Sequence, residues 1–107
     1  MAYFSKEIVE VIWKKAQEIP NYNPNIWRKD FAGAWIRKDQ YGATGNYGWE
    51  IDHVYPQSLG GGDDLDNLRA MQWENNRSKG DNYPKWTTSV SSYGASNIYL
   101  AKSWQIK

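Results

Sequence analysis

Trp49-Glu50-Ile51-Asp52-His53-Val54 opens the stretch whose pattern decides the fold. Apolar and polar residues alternate along it, the period of a strand with one face buried. Pro56 to Asp66 follows, carries Gly60-Gly61-Gly62, and reads as a loop. Leu68-Arg69-Ala70-Met71 is short and apolar enough to be the returning strand. Glu74 to Lys79 then reads as a short helix that ends at Gly80. A strand, a loop, a second strand and a helix in direct succession predict an α+β domain with a hairpin-plus-helix core.

Outward from this core, residues 5–18 predict an N-terminal helix. Ile8, Val11, Ile12 and Ile19 recur at helical spacing, with Ala16 joining the stripe. Ser5 is placed to cap it, Phe4 to staple against Val9, and Pro20 to stop it. Lys14 and Lys15 fall on the solvent side. Pro20 to Asn25 is a connector of turn-forming residues, and Ala34 to Arg37 predicts a short strand. Tyr41 to Gly48 holds three glycines and reads as a loop. Trp86 to Val90 favours extended structure, whereas Ile98 to Trp104 fits either helix or strand. No repeat and no linker interrupts the 107 residues, so one domain spanning 1–107 is expected.

The composition narrows the function. The chain has no cysteine, which excludes disulfides and thiolate metal sites and fits a cytoplasmic protein. The longest apolar runs are too short for a membrane span, and the N-terminus lacks the pattern of a signal peptide. The net charge is only +1, but it is unevenly distributed. Residues 39–68 contain Asp39, Glu50, Asp52, Asp63, Asp64 and Asp66 without a single Lys or Arg, and basic residues flank them on both sides. An acidic centre between basic flanks suits a cation site that faces a polyanion. Seven Trp and eight Tyr against two Phe supply either core filling or a stacking surface for bases or sugars.

His53 is the only histidine. Asp52 precedes it, Asn67 follows fourteen residues later, and Asn76 nine residues after that. Neighbours on a strand point to opposite faces, so a bend or bulge at residues 52–53 is expected if both side chains are to reach one site. The Asp-His pair, the Pro-x-Ser and glycine loop, Asn67-Leu68 and Asn76-x-x-Lys79 together resemble the HNH nuclease motif, here in an H-N-N variant. The resemblance covers residues 49–82 closely and weakens over 27–48.

That resemblance implies a metal-dependent endonuclease acting on DNA, with a ββα-metal core. It assigns Asp52 and Asn76 to one divalent metal, and their oxygen donors favour Mg²⁺ or Mn²⁺. One nearby carboxylate implies one ion. His53 becomes the general base that takes a proton from water, and Asn67 supports it by bracing the loop. Arg69, Arg77 and Lys79 become contacts to substrate phosphates. Many relatives carry two Cys-x-x-Cys pairs around a structural zinc. The second-pair positions are Gln72 and Asn75 here, so no structural zinc is expected. One site per chain implies a monomer or weak dimer that nicks duplex DNA with little sequence specificity.

Two other readings stay open on sequence. The first is a non-catalytic module that binds nucleic acid or carbohydrate through its Trp and Tyr side chains. The second, a calcium loop at Asp63 to Asn67, lacks the glycine and distal glutamate of an EF-hand.

Overall fold

The computed structural model describes residues 3–106. Their order is helix α1 (Lys6–Lys15), strands β1 (Trp27–Lys29), β2 (Trp35–Arg37), β3 (Trp49–His53) and β4 (Leu68–Gln72), helix α2 (Trp73–Lys79), then strands β5 (Lys85–Tyr93) and β6 (Ser96–Gln105). The strands form three antiparallel pairs, β1 with β2, β3 with β4 and β5 with β6, so the class is α+β as expected. The segment that fitted helix or strand is the long strand β6.

Ser5 caps α1 by accepting the Ile8 N–H on its hydroxyl at 3.3 Å. The helix stops at Lys15, short of the expected residue 18, because Gln17 leaves to exchange two backbone hydrogen bonds with Lys29. Val9, Ile12, Trp13 and Ala16 form the inward stripe, which leaves Val11 on the far side and 40% exposed, against expectation. Lys14 and Lys15 are exposed as expected, and the Lys15 ammonium also reaches the carbonyls of Leu65 and Leu68.

The stripe of α1 packs on one face of the β3–β4 hairpin. Ile12, Trp13, Ile36, Trp49, Ile51, Leu68 and Ala70 make one buried cluster. The other face of the hairpin receives α2. All seven Trp are buried or half-buried, and five indole N–H groups are tied to oxygens of nearby loops and strands. Filling, with a polar tether for five of the seven, is therefore the main work of these rings.

A buried polar hub sets the position of α2. Asp30 is 1% exposed. Its Oδ1 accepts the N–H groups of Ala32 and Ala34, and its Oδ2 accepts the Gln72 N–H at 2.9 Å and the Asn75 amide at 3.0 Å. The Gln72 side chain caps α2 by accepting the N–H groups of Glu74 and Asn75. Asn75 reaches onward to β5, where its Oδ1 accepts from Ser89 and Val90 and its Nδ2 donates to the Val90 carbonyl. That contact falls where the β5–β6 register shifts between Thr88 and Val90, so the side-chain amide satisfies backbone groups that a bulge would orphan. Gln72 and Asn75 thus staple the junction of β4, α2 and β5 through hydrogen bonds.

Burial pushes the Asp30 carboxyl above its ordinary range, against the pull of the four N–H donors. Asp30→Ala would leave those donors unpaired in the interior. Each orphaned buried donor costs about 1–3 kcal/mol, so the unfolding free energy, read from a urea titration, is expected to fall by at least ~3 kcal/mol.

Candidate active site

β3 and β4 pair in continuous register, Glu50 opposite Met71, Asp52 opposite Arg69 and His53 opposite Leu68. The bulge expected at residues 52–53 is therefore absent. Strand alternation instead sends Asp52 toward α2 and His53 toward the N-terminal side, where its ring lies 5.9 Å from that of Phe4. His53 is the last residue of β3. A cavity of about 590 Å³ wraps this strand end and is lined by both side chains, together with Glu50, Asn76 and Arg77.

Asp52 is 4% exposed and ion-paired on both oxygens, with Lys79 Nζ at 3.3 Å and Arg69 Nε at 3.2 Å. Burial pushes its carboxyl up, and the two cations act against that. Lys79 is fully buried, and its ammonium also donates to the His53 carbonyl at 3.0 Å. The Arg69 guanidinium lies 3.8 Å from the centre of the Phe31 ring and 5.1 Å from that of Trp86. These positions correct two expectations. Lys79 cannot meet a phosphate from inside the core, and Arg69, packed against the Phe31 ring, directs its guanidinium to Asp52. Of the three residues nominated for phosphate contact, Arg77 alone has a largely exposed side chain, at 58%.

His53 Nε2 stands 2.6 Å from Asp63 Oδ1. A carboxylate only accepts, so the proton belongs on Nε2 and the lone pair on Nδ1. Asp63 comes from the glycine loop, and Asn67 shapes that loop. Asn67 Oδ1 accepts the Tyr55 N–H at 2.8 Å, while its Nδ2 donates to the carbonyls of Tyr55 and Gly62. The side chain thus clasps both ends of the connection between His53 and Asp63. Gly60 turns the chain with φ of 103°, and a Cβ on Gly61 would stand 1.7 Å from the Tyr55 carbonyl oxygen.

Glu50 is the residue that the sequence reading missed, although its signal was present. It lies two residues before Asp52 on a strand and so shares its face. Asn76 Nδ2 donates to Glu50 Oε1 at 2.9 Å, and Arg77 lies 3.6 Å from Oε2. The cavity is therefore lined by three carboxylates, those of Glu50, Asp52 and Asp81, where one was expected. Among the described residues no set of three His, Cys, Asp or Glu side chains is placed to hold a metal. The oxygen donors that do line the cavity, from Glu50, Asp52 and Asn76, are hard ones and fit a cation such as Mg²⁺ or Mn²⁺.

A hairpin bearing an Asp-His pair, a loop clasped by an Asn, and a helix that lays a further Asn across it make up the strand–strand–helix arrangement that the sequence motif implied. The model of the HNH endonuclease family designated HNH_4 matches residues 32–85, half of the chain, and the chain belongs to that family. No curated protein and no solved structure matches it.

Two outcomes follow from this geometry. Asp52→Ala leaves Lys79 buried without its counter-charge, an uncompensated state that costs about 3–5 kcal/mol. Urea unfolding is therefore expected to register a large loss of stability besides any effect on activity. Gly61→Ala is expected to displace the loop and reduce activity and stability together. Gly62→Ala, whose Cβ would meet only Asp64 at 3.8 Å, is expected to leave both near wild type in the same assays.

Proposed function

We propose that the chain is a divalent-metal-dependent endonuclease that hydrolyses phosphodiester bonds of DNA, nicking duplexes with little sequence specificity. The observation that carries this reading is that His53 opens into the same cavity as the oxygen donors of Asp52 and Asn76.

His53 acts as the general base. With its Nε2 proton committed to Asp63, the imidazole takes a proton from water at Nδ1. The protonated ring then carries its charge beside the Asp63 carboxylate, which stabilises it. Asn67 holds the loop that presents Asp63, so its part is positioning. Asp52 and Asn76 are the residues that would hold one Mg²⁺ or Mn²⁺. Such an ion supplies Lewis-acid neutralisation of charge on the phosphate and on the departing 3′ oxygen. Arg77, at the rim, offers its guanidinium to a phosphate of the bound strand. One site acts on one strand, which suits a monomer or weak dimer.

The second reading, a binding module built on a Trp and Tyr surface, keeps only exposed tyrosines such as Tyr93 and Tyr99, because no Trp side chain is exposed, and it gives no role to the His53 cavity. The test is a time course on supercoiled plasmid with Mg²⁺ or Mn²⁺. Nicked circles are expected before linear product, and a chelator is expected to stop the reaction. His53→Ala should lower the rate by a factor of about 10²–10⁴ while leaving the fold intact. Undiminished cutting by His53→Ala, or in chelator, would refute the mechanism.

A further inference from the structure

We infer that Glu50 is a metal ligand of this site, and that its charge is what draws the cation into the free protein. The inference rests on the endonuclease reading above. Glu50 and Asp52 leave β3 on the same face and meet residues three apart on α2. Glu50 meets Asn76, and Asp52 meets Lys79.

The two carboxylates differ in what surrounds them. Asp52 sits in the interior with two cations against its two oxygens. Two positive charges beside one negative charge weaken the pull of that corner on a further cation, so Asp52 can complete a metal's shell but does not recruit the ion. Glu50 has a neutral amide as its inner neighbour, with Asn76 Nδ2 at 2.9 Å. Its side chain is 17% exposed and reaches the cavity, so one face of the carboxylate is open to an arriving ion. The cation beside it, Arg77, lies 3.6 Å away on a side chain 58% exposed. Such exposed pairs are worth only about 0–1 kcal/mol, so a divalent ion displaces the arginine at little cost. The displaced guanidinium is then free for phosphate. Turning the Asn76 amide about its last torsion brings its oxygen to the same side, next to the Glu50 carboxylate. Glu50 and Asn76 thus form a ready pair of oxygen donors, while the charge of Asp52 is engaged in the fold.

Glu50→Gln tests this cleanly, because the glutamine keeps the shape and still offers Oε1 to Asn76. Mn²⁺ titration of the DNA-free protein, followed by the paramagnetic resonance signal of the free ion, reads the affinity directly. Glu50→Gln is expected to bind Mn²⁺ at least ~10-fold more weakly than wild type. Glu50→Asp, which restores the charge, is expected to bind more tightly than Glu50→Gln, and this comparison decides the matter if the glutamine variant is less stable. Arg77→Ala is expected to bind Mn²⁺ at least as tightly as wild type, because it loses the competing cation. Glu50→Gln with wild-type affinity, or Glu50→Asp as weak as Glu50→Gln, would overturn the assignment while leaving the endonuclease reading in place. Wild type that cuts plasmid with Mn²⁺ but binds none of the ion without DNA would do the same. Wild type that neither binds Mn²⁺ nor cuts plasmid with any divalent ion would overturn both.

Discussion

A single buried carboxylate, Asp30, holds the parts of this fold in relation to one another. Its two oxygens collect the backbone of the turn at Ala32 to Ala34, the end of β4 at Gln72 and the first turn of α2 at Asn75. Asn75 passes the connection on to β5. Charge-assisted hydrogen bonds are worth about 1.5–3 kcal/mol each, and in a dry interior they also fix direction. A helix as short as α2 has little stability of its own. Held at its N-terminus by the Gln72 cap and by Asp30, it is set across the hairpin, and only then can Asn76 reach Glu50. The amides of Gln72 and Asn75 do this work with hydrogen bonds, which suits a chain that contains no cysteine.

The second buried group, Asp52 with Lys79 and Arg69, lies directly beneath the cavity. Its net charge is positive, and its cations pack against Phe31 and Trp86. Bringing these charges inside is costly, and their mutual attraction offsets that cost only when all three are present. The arrangement ties β3, β4 and α2 to one point through side chains alone. Lys79 also holds the His53 carbonyl, so the ion cluster fixes the backbone of the residue assigned as base. Structure and chemistry thus share Asp52, and its substitution affects both.

Much of this was legible in the sequence because it is local. The alternation through Trp49 to His53 marked β3, Leu68 to Met71 marked β4, and Gly80 marked the end of α2, where it adopts a φ of 52°. The clasp by Asn67 was foreshadowed by its place in the motif. Other features were hidden for physical reasons. β1 has three residues and gains its partner only when β2 returns. Ile98 to Trp104 has no period that separates strand from helix, and its pairing with β5 settles the matter. Val11 lay on a plausible stripe, but Trp13 has the larger apolar body and turned the helix toward itself.

The sequence by itself determined the hairpin, the helix and the residue types that meet at the strand end, because strand and helix periods and glycine turns are properties of neighbours along the chain. Tertiary structure alone decided which charges are available. Lys79 and Arg77 are two residues apart and look equivalent in sequence, yet one is sealed against Asp52 and the other stands in solvent. Glu50 and Asp52 look like one acidic pair and both line the cavity, yet Asp52 is held by two buried or half-buried cations and Glu50 by one exposed arginine. A charge is spent or free according to what the fold packs against it across tens of residues, and the energy of that choice is desolvation, which a position in sequence does not carry.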